Sequence, residues 1–261
     1  MRLSLFLAIA SFLILSHTAV AQSSVFLCGG AEVIQADAVT QNGKAALVER
    51  WHWRPEQSHG MPVKLMRKFI ITDDCKPIDS GRKLLITSSG DAVALVAYPS
   101  GDTLFAATVK NAHSAELLPH GMIAVASSDA PNGEGDRLVL FMGNGPNKMG
   151  DVSDKPVGNL PLEAAHGAVW DAKRKVLWAL GGKVLPKLEV EMTGPIPQFL
   201  LERTIPLPEE IGHDLQISED CSALYITTTK RVYQVDPDRF TFSAVSTVSR
   251  DERDQEPVDQ S

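Results

Sequence analysis

The chain has 261 residues and a formal net charge of −7 at pH 7. This acidic balance argues against nucleic acid or an anionic membrane as the main partner, since both require a basic surface. The three cysteines, Cys28, Cys75 and Cys221, allow at most one disulfide bridge, so the fold does not depend on a disulfide framework. Their spacing matches no zinc motif, and it does not indicate which pair, if any, is joined.

The beginning of the chain has the pattern of a secretory signal peptide. Arg2 precedes the apolar run LSLFLAIASFLIL, and the small residues AVA at 19–21 provide a cleavage site. The run is shorter than a comfortable membrane span, and no later stretch is as long. We therefore expect residues 1–21 to be a signal peptide and the protein to be secreted or periplasmic, with no membrane span in the mature chain. Residues 22–250 are expected to form one domain, followed by a disordered acidic tail at 251–261.

Short segments rich in β-prone residues predict strands along the mature chain. The segments VFLCGG, AEVIQADAV and ALVERWHW form a first group, and Asn42-Gly43 between the last two is a strong hairpin signal. A longer connection over 54–73 follows. The next segments, KLLITSS, AVALVAYP and TLFAATVK, are joined by tight turns. No 3.6-residue periodicity is sustained in the mature chain, so the sequence does not predict long helices.

A 16-residue unit then recurs four times without gaps, as DCKPIDSGRKLLITSS, HSAELLPHGMIAVASS, HGAVWDAKRKVLWALG and HDLQISEDCSALYITT. The copies start at Asp74, His113, His166 and His213, which gives a period of roughly 40–50 residues. Four short antiparallel strands at this period are typical of propeller blades, and residues 24–53 supply three strands of one more blade. The sequence therefore predicts an all-β fold, a small β-propeller of five blades of four-stranded antiparallel sheets. The first blade lacks an evident inner strand, so either ring closure is loose or this blade has three strands.

The first column of the repeat predicts a metal site. Equivalent positions at the start of each inner strand of a propeller converge at one mouth of the central channel, where Asp74, His113, His166 and His213 would meet. Three imidazoles and one carboxylate suit a divalent transition metal such as Mn, Zn or Fe, and are unsuited to Ca²⁺ or Mg²⁺. Three histidines with a labile fourth position are also typical of catalytic metal sites. The alternative is structural, since a histidine at a strand start can hydrogen-bond to the neighbouring blade.

Other candidate residues belong to the same mouth. Lys76 and His166 are candidate catalytic residues, and Lys76 could act as a base or pair with a substrate carboxylate. Glu116 and Gln216 share the fourth column of the repeat, where they could hydrogen-bond to the metal ligands or join neighbouring blades. His59 lies in the long connection after the first group of strands, which we expect to cross the same face.

The phrases NAHSAELLPHGMIAVASS, EAAHGAVWDAKRKVLWALG, GHDLQIS and TTKRVYQVD resemble a family of exported β-propeller domains of unknown function. WHW at 51–53 and DCK at 74–76 match the same pattern, while the short acidic C-terminal end departs from it. The resemblance implies the propeller fold and export but no particular activity. The arrangement is also distantly similar to that of oligogalacturonide lyases, propellers in which several histidines hold Mn²⁺ at the channel mouth. Only the arrangement is similar, not the motifs.

Two classes of function fit these patterns, and we expect a monomer in both. The first is a metal-dependent enzyme acting on a carbohydrate, such as a lyase for a uronic-acid sugar, in which Lys76 or a histidine removes a proton. The second is a secreted binding module, either a lectin or a propeller that docks a surface protein through its loops, with a structural histidine column. A scaffold with no small ligand is a third possibility.

Overall fold

The structure is a computed structural model that describes residues 24–41, 44–128, 134–142, 155–191 and 196–247. The predicted signal peptide and the predicted acidic tail lie outside the described residues, so both stay predictions. Across the described part of the chain, no helix is both long enough and apolar enough to cross a membrane.

Nineteen strands among the described residues form five antiparallel sheets, and each sheet is built from strands that are consecutive in the chain. The first sheet contains β1 (Ser24–Gly29), β2 (Glu32–Gln41) and β3 (Lys44–Trp53). The second sheet contains β4 (Thr72–Ile78), β5 (Lys83–Ser88), β6 (Ala92–Ala97) and β7 (Thr103–Thr108). The third sheet contains β8 (Ala112–Leu117), β9 (Ile123–Ser127), β10 (Arg137–Phe141) and β11 (Gly158–Pro161). The fourth sheet contains β12 (Gly167–Asp171), β13 (Val176–Leu180), β14 (Val184–Glu191) and β15 (Gln198–Pro206). The fifth sheet contains β16 (Gly212–Ile217), β17 (Leu224–Thr228), β18 (Arg231–Asp236) and β19 (Thr241–Thr247).

The predicted all-β propeller of five blades is confirmed, and the first blade has three strands in the described part of the chain. The burial patterns explain the sequence patterns. Strands β5 and β6 are almost continuously buried because the second sheet is covered on both faces. Strands β17 and β18 alternate between buried and more exposed residues, because one face of the fifth sheet is open to solvent.

Apolar cores fill the spaces between consecutive sheets. Leu84 and Ile86 of β5 pack in the core shared with the first sheet, whereas Leu85 between them packs in the core shared with the third sheet. The first strands carry much of this packing: β1 contacts β4, β4 contacts β8, β8 contacts β12, and β12 contacts β16. Inner strands of successive sheets are therefore neighbours, as a propeller requires.

The first sheet contacts the second sheet through β1 in the way that the fourth sheet contacts the fifth through its second strand. The N–H of Thr72 donates to the carbonyl of Gly30 at 2.7 Å, and the N–H of Gly212 donates to the carbonyl of Gly182 at 3.2 Å. Gly182 follows β13, the second strand of its sheet, and Gly30 follows β1. Strand β1 therefore occupies the position of a second strand, in agreement with the sequence interpretation.

The outward faces of the first and fifth sheets are exposed. Val25 and Leu27 of β1 are 37% and 42% exposed, and Tyr225 of β17 is 39% exposed. Each of these strands also contributes to a core on its other face. Among the described residues, each sheet thus packs extensively against the next sheet in the chain, from the first to the fifth.

The 54–73 connection contains a 3-10 turn at Pro55–Gln57 and the short helix α1 (Val63–Met66), and a second 3-10 turn, Pro119–Gly121, follows β8. Leu65 and Phe69 bury their side chains in the core between the first and second sheets. The carbonyl of His59 accepts a hydrogen bond from the N–H of Thr103 in β7 at 2.9 Å, and the His59 side chain is exposed. This placement puts His59 beside an outer strand, away from the inner strands.

A buried ion pair in the β12–β13 turn ties the fourth sheet to the fifth. Arg174 donates through Nη1 to the carboxylate of Asp171 and to the carbonyl of Cys221, each at 2.8 Å. Its Nε and Nη2 donate hydrogen bonds to the carboxylate of Asp238 at 2.8 and 2.7 Å. The side chain of Asp171 is fully buried and also accepts from the indole N–H of Trp178. The arginine therefore neutralises a charge that is shielded from water.

Candidate functional site

Three histidines from the third, fourth and fifth sheets meet at one end of the inner strands. The ring centroids of His113 and His166 are 4.3 Å apart, and the rings are stacked with an interplanar angle of 27°. The centroids of His166 and His213 are 5.6 Å apart with perpendicular ring planes. His113 and His213 belong to β8 and β16, and His166 directly precedes β12. The structure thus brings together the three imidazoles that the repeat places in one column.

β-Bulges at the start of the inner strands position the members of this cluster. The register between first and second strands shifts near the beginning of β4, β8 and β16, and the residues left unpaired are Asp73, His113 and His213. A bulge bends its strand and redirects the extra side chain. The counterpart of the histidines in the second sheet is therefore Asp73, one residue before the position that the ungapped repeat selects. The hairpin turns after β4 and β16 differ in length, at 79–82 and 218–223, so an ungapped alignment cannot match both strands.

The contacts of the two aspartates agree with this assignment. Oδ1 of Asp73 lies 3.5 Å from Nδ1 of His113. Asp74 instead accepts a hydrogen bond from Oγ of Ser114 at 2.9 Å, and its Oδ2 lies 3.3 Å from Nζ of Lys76. The structure therefore places the carboxylate of Asp73 beside His113, and that of Asp74 beside Ser114 and Lys76 in the channel.

The surroundings of His113 favour a neutral ring. Burial and the neighbouring His166 lower the pKa of His113, and Asp73 only partly opposes this effect. Nδ1 of His166 lies 2.9 Å from the carbonyl oxygen of Ala164, so this nitrogen carries a hydrogen, and Nε2 is the nitrogen left to bind a metal. His213 is the exposed member of the cluster. Neutral imidazoles are the form that binds transition metals.

The donor types match a transition metal, but the ring orientations do not yet form a ligand set. Within the described ranges, no three or more His, Cys, Asp or Glu side chains are grouped so that they could hold a metal ion. The stacked rings of His113 and His166 face each other instead of directing their nitrogens at a common point. Two nitrogens bound to a tetrahedral Zn²⁺ lie about 3.4 Å apart. Joint coordination therefore requires one of the stacked rings to turn.

Lys76 lies inside the channel, and its side chain is only 12% exposed. Its Nζ donates to Oγ of Ser114 at 2.9 Å and to the carbonyl oxygens of Ala115 and Ala168 at 3.1 and 2.7 Å. Three acceptors from the third and fourth sheets thus match the three hydrogens of the ammonium. These contacts are those of a lysine that links the inner strands of three sheets, and a role as base would require their loss.

Glu116 is a second buried charge in the channel. Its Oε2 lies 3.9 Å from Nζ of Lys76, and the backbone N–H of Trp170 donates to its carboxylate. Burial outweighs both contacts and raises the pKa of Glu116 to about 7. Gln216 of the same repeat column is exposed, and its Nε2 donates to Oδ1 of Asp214 at 3.2 Å. Glu116 and Gln216 therefore share a column of the repeat but have different environments, one buried and one exposed to solvent.

A cleft lies at the other end of the third and fourth sheets and carried no signal in the sequence. Its volume is about 440 Å³, and its lining includes His120, Met122, Trp170 and Val190. His120 belongs to the turn that follows β8, whereas His113 lies near the start of β8. Aromatic and apolar residues in strands are usually core residues, so the sequence offered no reason to place a cleft here.

Five antiparallel sheets that pack through successive inner strands, with polar side chains between those strands, define a β-propeller protein. The chain belongs to the Family of unknown function (DUF6528), whose model matches residues 31–246. A chain in the crystal structure of the mitotic checkpoint complex shares the fold, with a TM-score of 0.55 and 11% identity. The match covers 78% of this chain and 56% of that chain, so this chain spans just over half the length of that relative. At this identity the likeness shows the fold alone. No curated protein matches the chain.

Proposed function

We propose that this protein is an exported β-propeller that binds a divalent transition metal at the channel mouth and uses it to act on a carbohydrate. The observation that carries the proposal is the convergence of three imidazoles from three consecutive sheets. The nitrogen ligands are His113, His166 and His213, and Asp73 supplies the oxygen in place of Asp74. Mn, Zn and Fe are the metals that suit this donor set.

The exposure of the cluster supports a ligand site over a purely structural column. The side chain of His113 is 24% exposed, and His213 is exposed. A histidine that served only to close the ring would gain most from buried hydrogen bonds, because an exposed ring exchanges one partner for water. The neutral ring of His113 and the fixed hydrogen on Nδ1 of His166 further support metal binding.

The reaction class that fits such a site is proton abstraction next to a carboxylate, as in a lyase for uronic-acid sugars. A bound metal supplies the positive charge that polarises the substrate carboxylate. The proton acceptor would have to lie outside the four metal ligands, and Lys76 could serve only once its ammonium hydrogens leave their partners in the channel.

Elemental analysis of purified protein by mass spectrometry tests the metal. Wild type is expected to carry about one transition metal per chain and His166→Ala to bind it much more weakly, because the substitution removes the central one of the three imidazoles. His52→Ala is the matched control, since His52 is exposed on β3. Its only ion-pair partner among the described residues is Glu49. A folded wild type that takes up none of Mn²⁺, Zn²⁺ or Fe²⁺ would refute the proposal.

The two aspartates provide a sharper comparison. Asp73→Asn is expected to weaken metal binding, whereas Asp74→Asn is expected to lower stability and leave the affinity for the metal unchanged. Isothermal titration of each variant with Zn²⁺ measures the affinity, and thermal denaturation measures the stability. The reverse pattern would favour the aspartate that the ungapped repeat selects.

The cleft beside Trp170 favours a second candidate function, a lectin-like binding module. An aromatic ring with apolar neighbours and polar groups at its edge, here Lys175 and His120, is typical of sites that bind sugar rings. A glycan array with wild type and Trp170→Ala tests it. Binding that survives in His166→Ala and is lost in Trp170→Ala would assign carbohydrate recognition to the cleft.

A further inference from the structure

Two of the three cysteines face each other across the interface between the first and second sheets. Cys28 lies in β1 and Cys75 lies in β4, and both are partly buried against the same apolar core. All three cysteines are free thiols, and Cys221 lies in the β16–β17 turn of the fifth sheet.

The backbone geometry places these two thiols level with each other. The N–H of Thr72 donates to the carbonyl of Gly30, at the end of β1 and the start of β4. From that point β1 runs back two residues to Cys28, and β4 runs forward three residues to Cys75. The bulge at Asp73 takes up one of those three residues. Cys28 and Cys75 therefore lie at the same distance along their strands, two residue positions, from the hydrogen bond between Thr72 and Gly30.

The thiols also contact each other directly. Their side chains are hydrogen-bonded to each other.

We infer that Cys28 and Cys75 form a disulfide that covalently anchors the first sheet to the second. The oxidant is a disulfide, either a small molecule or a protein. The thiolate of one of these two cysteines attacks one sulfur of the oxidant, which releases one thiol and leaves a mixed disulfide on that cysteine. The sulfur of the other cysteine then attacks the protein sulfur of the mixed disulfide, loses its proton to solvent and releases the second thiol. Two protein thiols are oxidised, and one disulfide is reduced to two thiols.

The position of this bond gives it a structural purpose. The first sheet contributes three strands in the described part of the chain, and its outward face, with Val25 and Leu27, is exposed. Its packed face is the one shared with the second sheet. A crosslink across that face restrains a sheet whose other face is exposed.

Peptide mapping of the full chain tests the bond. The protein is incubated in a buffer of oxidised and reduced glutathione, alkylated without reduction and digested. The expected products are a linked Cys28–Cys75 peptide and alkylated Cys221, and Cys221→Ser should give the same linked peptide. Alkylation of all three cysteines, glutathione adducts without the link, or a bond that includes Cys221 would overturn the inference.

Thermal denaturation tests the anchoring role separately. Oxidised wild type and oxidised Cys221→Ser are expected to melt roughly 5–10 °C above their reduced forms, because the bond restricts the unfolded chain. Cys28→Ser and Cys75→Ser should melt at temperatures that do not depend on the redox buffer. A melting temperature of wild type that is equal in both buffers would contradict the anchoring role.

Discussion

Glu116 provides a quantitative test of the channel, because its carboxylate is buried beside Lys76 and its pKa is raised to about 7. The perturbation is Glu116→Gln. The amide keeps nearly the same shape and can still accept the hydrogen bond from the N–H of Trp170. It removes only the ability to ionise, so any change that depends on pH reports the buried carboxyl group.

The sign and size of the effect follow from the two states. The ordinary pKa of 4.5 applies to the unfolded chain, and the folded value is about 7. Below pH 4.5 the group is protonated in both states, and its contribution to stability is fully present. As the pH rises through this window the unfolded chain releases the proton first, so the free energy of unfolding falls by about 1.4 kcal/mol per pH unit. The total loss by pH 7 is about 3 kcal/mol.

Urea denaturation at several pH values between 4.5 and 8 measures this loss. The free energy of unfolding of wild type, minus that of Glu116→Gln, is expected to fall by about 3 kcal/mol across the window. Glu219→Gln is the matched control, because Glu219 is an exposed carboxylate in the β16–β17 turn and is solvated in both states. Parallel curves for wild type and Glu116→Gln would refute the reasoning and would mean that Glu116 is already charged in the folded channel.

Two further predictions concern contacts between elements. Arg174→Ala leaves a fully buried carboxylate without its partner, so we expect a loss of about 3–5 kcal/mol in the free energy of unfolding by urea denaturation. Arg82→Ala, at an exposed ion pair in the β4–β5 turn, should cost less than about 1 kcal/mol, and equal losses would contradict the role of burial. Gly90→Ala would place a Cβ 2.2 Å from the carbonyl oxygen of Lys68, which should lower stability by about 1–3 kcal/mol. Gly29→Ala meets no atom within 4 Å and should be close to neutral when both variants are measured by urea denaturation, so a similar loss for both would argue against the clash.

The strands were predictable because their apolar content and turn residues are local properties. KLLITSS was predicted as a strand, and the structure has β5 at Lys83–Ser88. The same holds for AVALVAYP, which contains β6 at Ala92–Ala97. The turns that separate the strands are marked by Gly, Asn, Asp and Pro, whose backbone preferences do not depend on distant contacts.

The candidate site was predictable only in part. The three histidines converge because every inner strand begins at the same end of the channel, which the period of the repeat implies. The ungapped repeat selects Asp74, whereas the residue beside His113 is Asp73, because a bulge depends on how two strands pair. Lys76 was expected near the mouth as a possible base. Its burial depends on acceptors that come from two other sheets.

The sequence by itself therefore determined the class of fold, the positions of the strands and the column of histidines, since each follows from periodicity along the chain. Only the tertiary structure decided which aspartate joins the imidazoles and which cysteines meet. It also decided which charges are buried. These properties depend on strand register and on packing between sheets, where residues far apart in sequence come within a few ångströms. A shift of one residue at a bulge exchanges the side chains that face the channel, and no local pattern records that shift.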